Sequence, residues 1–198
     1  MATEKSHNET RLTLIQRLQL SQSEPNWDEF NRIYGGYIFA VAHALKLPPA
    51  DCEDIRQTVL LNVWKGIGKF THDGRPGRFR AWLNTITRNE VFKHLNRKNR
   101  KARGLDELQV HEQSVSEPEI EAIEQREWGI HVTNLAWTKI SPGLSNVMRE
   151  IFQLSLDGVS REEIAKRVDC PVNTVSVYKR RVVARMRREI QLLEAEIT

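Results

Sequence analysis

The chain has few of the features that mark enzymes, membrane proteins or disulfide-rich folds. Its 198 residues include only two cysteines, Cys52 and Cys170, which lie far apart and form no CxxC pair. Neither a disulfide framework nor a zinc site is therefore indicated. No apolar run approaches the roughly 20 residues that span a bilayer, and the polar start MATEKSHNET is not typical of a signal peptide. We expect a protein of the reducing cytoplasm that does not associate with membranes.

Catalytic motifs are also missing from the sequence. The six histidines are scattered, with no metal-ligand spacing to cysteines or acidic residues. No P-loop, GxSxG or HExxH pattern occurs. We therefore expect no catalytic residues, no bound metal and no cofactor, and we do not expect an enzyme.

What the chain does have is strongly segregated charge, which its net charge of +4 conceals. Residues 69–103 carry eleven Lys and Arg residues against Asp73 and Glu90 alone. Residues 104–127 carry eight acidic residues against Arg126, and residues 158–188 are basic again. A basic surface of this kind is typical of nucleic-acid binding. The order predicts two DNA-facing modules and an acidic connector that avoids the duplex.

Apolar residues recur at spacings of three and four along most of the chain, and no segment shows the alternation of a strand. The pattern predicts an all-α fold of two small helical domains joined by an acidic linker. We place an N-terminal tail with a short helix at residues 1–24 and the first domain at 25–103. The linker follows at 104–118, and the second domain at 119–198.

Apolar spacing and turn residues also predict several local features of the helices. Leu20 is predicted to belong to the apolar patch of the first short helix, and Ile130 to the stripe of the helix that follows the linker. Gly35 and Gly36 predict a kink or a close helix contact. Pro48 and Pro49 are expected to end the second helix, and Asp51 to cap the third.

The C-terminal region predicts a helix-turn-helix. Ser160 and Glu163 have the spacing of a capping box at the start of a short helix, and Asp169-Cys170-Pro171 turns the chain into a long basic helix. The start of that helix would face base edges in the major groove, and cationic residues further along the helix would contact the DNA backbone. The base-facing candidates are Val172, Asn173, Thr174, Ser176, Val177 and Lys179, and the backbone candidates are Arg180, Arg181 and Arg185. A helical hairpin with a basic solvated face remains an alternative.

The first domain carries two further candidate surfaces. His72, Arg75 and Arg78 surround glycines in a loop before a cationic helix, which suits capture of a strand with unstacked bases. A solvated helix face or an RNA-binding tail is the alternative. On the preceding helix, Glu53, Asp54 and Gln57 lie off the apolar stripe. They could bind a basic partner helix, or could serve only the positive end of their own helix.

In succession these segments resemble the extracytoplasmic-function (ECF) group of the bacterial sigma-70 family. DCEDIRQTVLLNVW is similar to the polymerase-binding helix of that group, and GRFRAWLNTITRN is similar to its G-x-F-R-x-W-L-x-x-I-x-R-N signature. Residues 144–189 resemble its C-terminal helix-turn-helix. Where the family often has Gly or another small residue after the first helix of that motif, this chain has Asp169.

The resemblance implies an alternative sigma factor that directs core RNA polymerase to promoters and assists their melting. Glu53, Asp54 and Gln57 would contact the clamp helices of the largest subunit, and the second domain would meet the flap of the second-largest subunit and the −35 element. Residues 70–79 would hold an extruded base of the −10 element, with further DNA contacts from Arg88, Asn89, Lys93 and Arg97. An anti-sigma partner is a further candidate. The alternatives are a dimeric helix-turn-helix regulator that does not replace sigma, and an adaptor that binds acidic proteins.

Overall fold

The computed structural model describes residues 13–71, 77–103 and 116–197, and these ranges contain helices and no strand. The prediction of an all-α fold is therefore confirmed. The eight α-helices of these ranges are α1 Leu14–Leu20, α2 Glu24–Ala44, α3 Pro49–Gly66, α4 Arg78–Arg103, α5 Glu117–Ile140, α6 Asn146–Leu156, α7 Arg161–Arg167 and α8 Val172–Ile197. Short 3₁₀ turns at Ile67–Lys69 and Ser141–Gly143 follow α3 and α5.

The chain forms two compact units, and the boundary between them falls inside α5. The first unit contains Met1–Glu124 together with Glu196–Thr198, and the second contains Gln125–Ala195. The first two turns of α5 thus belong to the first unit, and the rest of the helix belongs to the second. Among the helices described, none is both long enough and apolar enough to span a membrane.

Aromatic rings form much of the core of the first unit. Phe30, Tyr34 and Phe79 are fully buried, and the Phe79 ring contacts those of Phe30 at 5.9 Å and Tyr34 at 5.3 Å. Trp82 is half-buried, and its ring lies 5.5 Å from Phe79. These edge-on and tilted pairs add to the stabilisation from buried apolar area. The cluster fixes the start of α4 against α2.

The paired glycines of α2 do not interrupt the helix, which is continuous through both. A Cβ atom at Gly35 would lie 2.7 Å from Asn31 Oδ1 and 3.3 Å from a guanidinium nitrogen of Arg56 on α3, whereas one at Gly36 would meet nothing within 4 Å. The close contact predicted at this pair is therefore present at Gly35. It allows the Arg56 side chain to lie across α2.

The junction between α2 and α3 corrects two expectations. Helix α2 ends at Ala44, before the prolines, because Lys46 adopts a left-handed backbone with φ of 70°. The Lys46 and Leu47 amides donate to the carbonyls of His43 and Ala42, as in a Schellman motif. Pro48, not Asp51, is the N-cap of α3. Asp51 lies inside the first turn, where its side chain is free to face a neighbouring helix.

We expect Lys46→Gly to stabilise the first unit by about 1 kcal/mol, because glycine adopts the left-handed backbone without the steric cost that a Cβ atom brings. Urea unfolding followed by circular dichroism measures the change. Lys65→Gly is the matched control: Lys65 is exposed in the last turn of α3, and glycine there should destabilise by roughly 0.5–1 kcal/mol. A loss of stability in both variants would contradict the strain assigned to Lys46.

The second unit has a small core where α6, α7 and α8 meet. Ile151, Ile164, Ala165 and Val175 are buried there, with Tyr178 packed against them. The Ser160 hydroxyl accepts from the Glu163 amide at 3.2 Å, but the Glu163 carboxylate pairs with Arg167 at 3.1 Å. Of the two hydrogen bonds of the predicted capping box, only the one accepted by the Ser160 side chain is formed. Short helix, turn and long helix follow in the order predicted for a helix-turn-helix.

Three further positions show where helical spacing alone misleads or is incomplete. Leu20 and Ile130, both predicted on apolar stripes, are 74% and 50% exposed. Asp169, in the turn between α7 and α8, has a φ of 49° at the position after a helix end where glycine is common. Asp tolerates this conformation better than most residues other than glycine.

Candidate nucleic-acid and protein interfaces

The predicted protein-binding residues of α3 lie on or beside its exposed face. Asp54 and Gln57 are exposed, and Leu61, one turn further along, is 51% exposed. Their spacing of three and four residues places them on one side of the helix, away from the buried Cys52, Ile55, Val59 and Val63. The structure therefore presents an acidic and polar face with an apolar side chain at its end.

Glu53 differs from these neighbours because it is engaged within the chain. Its carboxylate accepts hydrogen bonds from the Arg56 guanidinium and, at 3.5 Å, from the Gln57 amide. The Arg56 hydrogen bond lowers the pKa of Glu53 below its ordinary value, so the side chain stays ionised. Asp54 is thus the more accessible acid on this helix.

Helix α4 carries a row of exposed polar and cationic side chains. Arg78, Asn89 and Lys93, all predicted to bind DNA, are exposed at spacings of eleven and four residues, which places them on one face. Lys93 also pairs with Glu90 at 2.7 Å. The buried Phe79, Leu83 and Val91 hold the opposite side of the helix in the core. His72 and Arg75 of the predicted loop lie outside the described residues.

Arg88 lies on a different side of α4 and is held by α5. Its guanidinium contacts Glu124 at 3.3 Å and Glu117 at 3.2 Å. Only 21% of the Arg88 side chain is exposed, and 6% of that of Glu124. The family resemblance implies a DNA contact for both Arg88 and Asn89, but consecutive residues in a helix point about 100° apart. In this structure Arg88 is an internal ion-pair partner.

A buried polar network surrounds this ion pair. The Asn84 amide donates to Glu124 at 3.0 Å, and the Tyr37 hydroxyl donates to the Asn84 side-chain oxygen at 2.7 Å. Burial raises the pKa of Glu124 above its ordinary value, while Arg88 and Asn84 act in the opposite direction. The network ties the beginning of α5 to α2 and α4, although the sequence predicts that residues from 119 onward belong to the second domain.

A second ionic cluster joins the start of α3 to the end of α4. Asp51 accepts from Lys98 at 3.0 Å and faces His94 Nε2 at 3.2 Å. The hydrogen bond from Lys98, assisted by His94, lowers the pKa of the Asp51 carboxyl. Arg97, a predicted DNA contact, is exposed and lies 3.3 Å from His94 Nδ1. This helix end is therefore cationic and anchored through Asp51.

Helix α8 turns its apolar side inward and much of its polar side outward. Val175, Val182 and Met186 are buried, at spacings of seven and four. Val172, Asn173, Lys179, Arg180, Arg181 and Arg185 are exposed, whereas Thr174, Ser176 and Val177 are half-buried. Asn173 and Arg180 share the side opposite the buried stripe, with Ser176 and Val177 at its edges. The N-terminal turn therefore exposes an amide and an apolar side chain next to cations.

Arg181 and Arg185, two of the residues predicted to contact the DNA backbone, also interact with other residues of the second unit. The Arg181 guanidinium lies 5.9 Å from the centre of the Tyr178 ring, within cation–π range. Arg185 donates to the Gly143 carbonyl at 3.3 Å. Both side chains remain exposed at their positions, so these contacts orient the guanidinium groups without burying them.

Helical spacing identifies residues that the sequence prediction omitted. On α4, Thr85 and Asn96 are exposed in the same row as Asn89, four residues before it and seven after it. On α8, Arg187 is exposed seven residues after Arg180. Counting in steps of three and four from Asn89 and Arg180 would have found all three. In the part of the chain that the structure describes, no group of His, Cys, Asp and Glu residues could hold a metal ion.

Comparison with known proteins places both units in one family. The model of sigma-70 region 2 matches residues 32–101, and the model of sigma-70 region 4, of the type found in the ECF group, matches residues 140–186. Curated proteins gave no match. Among solved structures, the chain is similar to CnrH, determined in complex with the cytosolic domain of CnrY. That similarity has 21% identity, covers 92% of this chain and 96% of that chain, and has a TM-score of 0.37.

Because the two region models together match more than half of the 198 residues and occur in the order of the family, the chain belongs to the ECF group of the sigma-70 family, whose members are transcription initiation factors.

Proposed function

We propose that this sigma factor binds core RNA polymerase through α3, holds the unpaired −10 strand along α4 and reads the −35 duplex with α8. The observation that carries the proposal is that each matched region has an exposed helix face of the required charge backed by a buried apolar stripe. Nucleotide addition belongs to the polymerase. The proposed functional domains are residues 25–103 and 119–198, whereas the two compact units divide inside α5, after Glu124.

The polymerase contact is assigned to Glu53, Asp54 and Gln57 and to the clamp helices of the largest subunit. Asp54 and Gln57 are the exposed members, and Leu61 extends their face with an apolar side chain. A charged rim beside an apolar contact suits a helix-to-helix interface, in which charge complementarity sets orientation and association rate. Contact of the second domain with the flap, and an anti-sigma partner, are further proposals that rest on the family resemblance.

The −10 contact is assigned to the exposed row of α4 and to the preceding loop. Phosphates would meet Arg78, Lys93 and Arg97, whereas Asn89 can hydrogen-bond to a base or a sugar. Trapping an extruded base offsets an unstacking cost of a few kcal/mol. Arg88 can join this set only if its ion pairs with Glu117 and Glu124 open. His72 and Arg75 stay assigned to base capture by the resemblance.

The −35 contact is assigned to the first turns of α8. In a helix-turn-helix, the N-terminal residues of the second helix reach base edges in the major groove. Exposed Asn173 can pair bidentately with adenine, and exposed Val172 can contact a thymine methyl group. Thr174, Ser176, Val177 and Lys179 flank this pair. Arg180, Arg181 and Arg185 would hold phosphates further along the groove, which makes binding salt-dependent.

Reconstituted transcription tests the proposed function. Core polymerase plus this protein should start RNA synthesis at defined sites on genomic DNA fragments, where core polymerase alone does not. Mapping the RNA ends gives the promoter sequences. If no defined start sites arise, or if the protein binds a palindromic duplex as a dimer without polymerase, the proposal is wrong and a regulator that does not replace sigma is favoured.

The two classes of α8 contact predict different binding defects. Arg181→Ala should weaken binding to every duplex alike. It should also reduce the slope of log affinity against log salt concentration by the amount expected for about one phosphate contact. Asn173→Ala should instead cost about 1–3 kcal/mol on the cognate −35 sequence and relax discrimination at one base pair. Fluorescence anisotropy with cognate and scrambled duplexes at several salt concentrations measures both effects, and each variant serves as the control for the other. A base-specific loss in Arg181→Ala would contradict its assignment to the backbone.

A further inference from the structure

Helix α1 precedes the sequence that the region 2 model matches, which begins at residue 32. It is nevertheless packed into the first unit, because Leu14, Ile15 and Leu18 are each no more than 3% exposed. Thr13 and Gln16 close a capping box at its N-terminus. Helix α1 is therefore a well-packed element with its own N-cap. The proposed contacts with polymerase and DNA do not involve it.

Gln19 in the last turn of α1 and Gln22, two residues after this helix, donate to carbonyls at the end of α3 and in the turn that follows it. Gln19 Nε2 donates to the Ile67 carbonyl at 3.2 Å and also to the Phe70 carbonyl. Gln22 Nε2 donates to the Trp64 carbonyl at 2.6 Å. The last carbonyls of a helix have no partner within the helix. Side chains from α1 and the residues after it therefore bond to three carbonyls where α3 and its 3₁₀ turn end, and the Ile67 carbonyl also accepts from the Phe70 amide at 3.1 Å.

The Phe70 carbonyl connects this cap to the start of α4. The Phe70 ring lies 5.5 Å from that of Phe79 and 5.1 Å from that of Trp82, both in the first two turns of α4. Arg78, which opens the exposed row of α4, is the direct neighbour of Phe79. A shift of the Phe70 backbone would therefore move the rings that set the position of the first turn of α4.

We propose that α1 belongs to the strand-binding apparatus and that Gln19 is a positioning residue for the first turn of α4. It holds the backbone of Phe70, the Phe70 ring holds Phe79 and Trp82, and these place Arg78 against the phosphates of the unpaired −10 strand. The proposal rests on the proposed function, because it assigns a role within strand capture. The ligand is single-stranded DNA, and Gln19 itself does not touch it.

Gln19→Leu tests this role, because leucine keeps much of the side-chain volume and removes both hydrogen bonds. We expect the holoenzyme with this variant to bind a forked promoter DNA with an unpaired −10 strand about tenfold more weakly, the equivalent of one or two net hydrogen bonds. Binding to core polymerase and to a duplex with only the −35 element should be unchanged. Gln19→Lys, which restores a donor, should recover most of the affinity for the fork. The probe is a fork made from a promoter obtained by mapping the RNA start sites.

Gln16→Leu is the matched control, because Gln16 lies on the same helix and its side chain bonds only to Thr13 in the contacts described. Gln16→Leu should lower the melting temperature. When binding is measured about 20 °C below its own melting temperature, it should bind the fork as tightly as the wild type does. If Gln19→Leu binds the fork as well as the wild type, or if both variants lose affinity in proportion to their stability, the positioning role is overturned.

Should Gln19→Leu fail to fold, Gln19→Asn, whose side chain is one methylene shorter, is judged by the same outcomes. If the wild-type protein directs no initiation, the proposed function itself has failed, which is a separate result.

Discussion

Reversing the charge of Asp54 with Asp54→Arg is expected to abolish binding to core RNA polymerase. Asp54 is exposed on the same face of α3 as Gln57 and Leu61. An arginine there would face the basic partner helix that this acidic surface is proposed to bind, and like charges at an interface cost several kcal/mol. We expect the dissociation constant to rise by about 100-fold or more, since each 1.4 kcal/mol is a factor of ten. Fluorescence anisotropy of labelled protein with core polymerase measures it, and promoter-directed RNA synthesis should disappear.

Asp28→Arg is the matched control, because Asp28 is exposed on α2 and the change in charge is identical. It should bind core polymerase as the wild type does, and both variants should retain the wild-type melting temperature within a few degrees. Unchanged polymerase binding by Asp54→Arg would remove this face of α3 from the mechanism. Equal losses in both variants would indicate a general effect of charge instead of a contact at Asp54.

The variant Ile151→Ala is expected to have the largest effect on stability. Ile151 is fully buried and packs with Ile164, Ala165 and Val175 in the small core of the second unit. Truncation of a buried isoleucine to alanine costs about 2–5 kcal/mol through lost burial and the cavity that remains. That is a large share of the roughly 5–15 kcal/mol that stabilises a typical domain. We expect lower thermal stability by circular dichroism and loss of −35 duplex binding, while α3 still binds core polymerase.

Leu156→Ala provides the control for this variant. Leu156 ends α6, the helix that carries Ile151, but it is 66% exposed, and its truncation should change stability by no more than about 0.5 kcal/mol. If the two variants were equally stable, the core of the second unit could not depend on Ile151. If Ile151→Ala lost polymerase binding as completely as Asp54→Arg, and not only the share due to the flap contact, the proposed separation of the α3 and α8 contacts would be wrong.

Arg88 and Glu124 illustrate what could not be predicted from local sequence. Arg88 lies in a strongly basic helix and Glu124 in an acidic segment, so each pattern alone predicts a solvated or ligand-facing side chain. Periodicity shows which residues share a face of one helix, but it does not show which other helix covers that face. The pairing depends on the docking of α5, 36 residues further along the chain. Gln19, which contacts carbonyls 48 and 51 residues away, was missed for the same reason.

Asp51 shows the same limit on a shorter scale. An acidic residue just after two prolines predicts an N-cap, and the favourable charge at the start of α3 is indeed present. The helix begins three residues earlier, however, at Pro49 after the cap residue Pro48. The carboxylate is thereby rotated toward Lys98 and His94 of α4. Its partners could be identified only once the packing of the two helices was known.

The sequence by itself determined the helical class, the order of the helices, the helix-turn-helix and the family, because these depend on spacings of three and four, on turn residues and on motifs that lie within one segment. The tertiary structure decided which charged side chains remain available to partners. It engages Glu53, Arg88 and Asp51 within the chain and leaves Asp54, Asn89 and Asn173 exposed. The physical reason is that the partner of a polar group is set by contacts between segments distant in sequence, whereas periodicity reports only the residues within a few turns of the same helix.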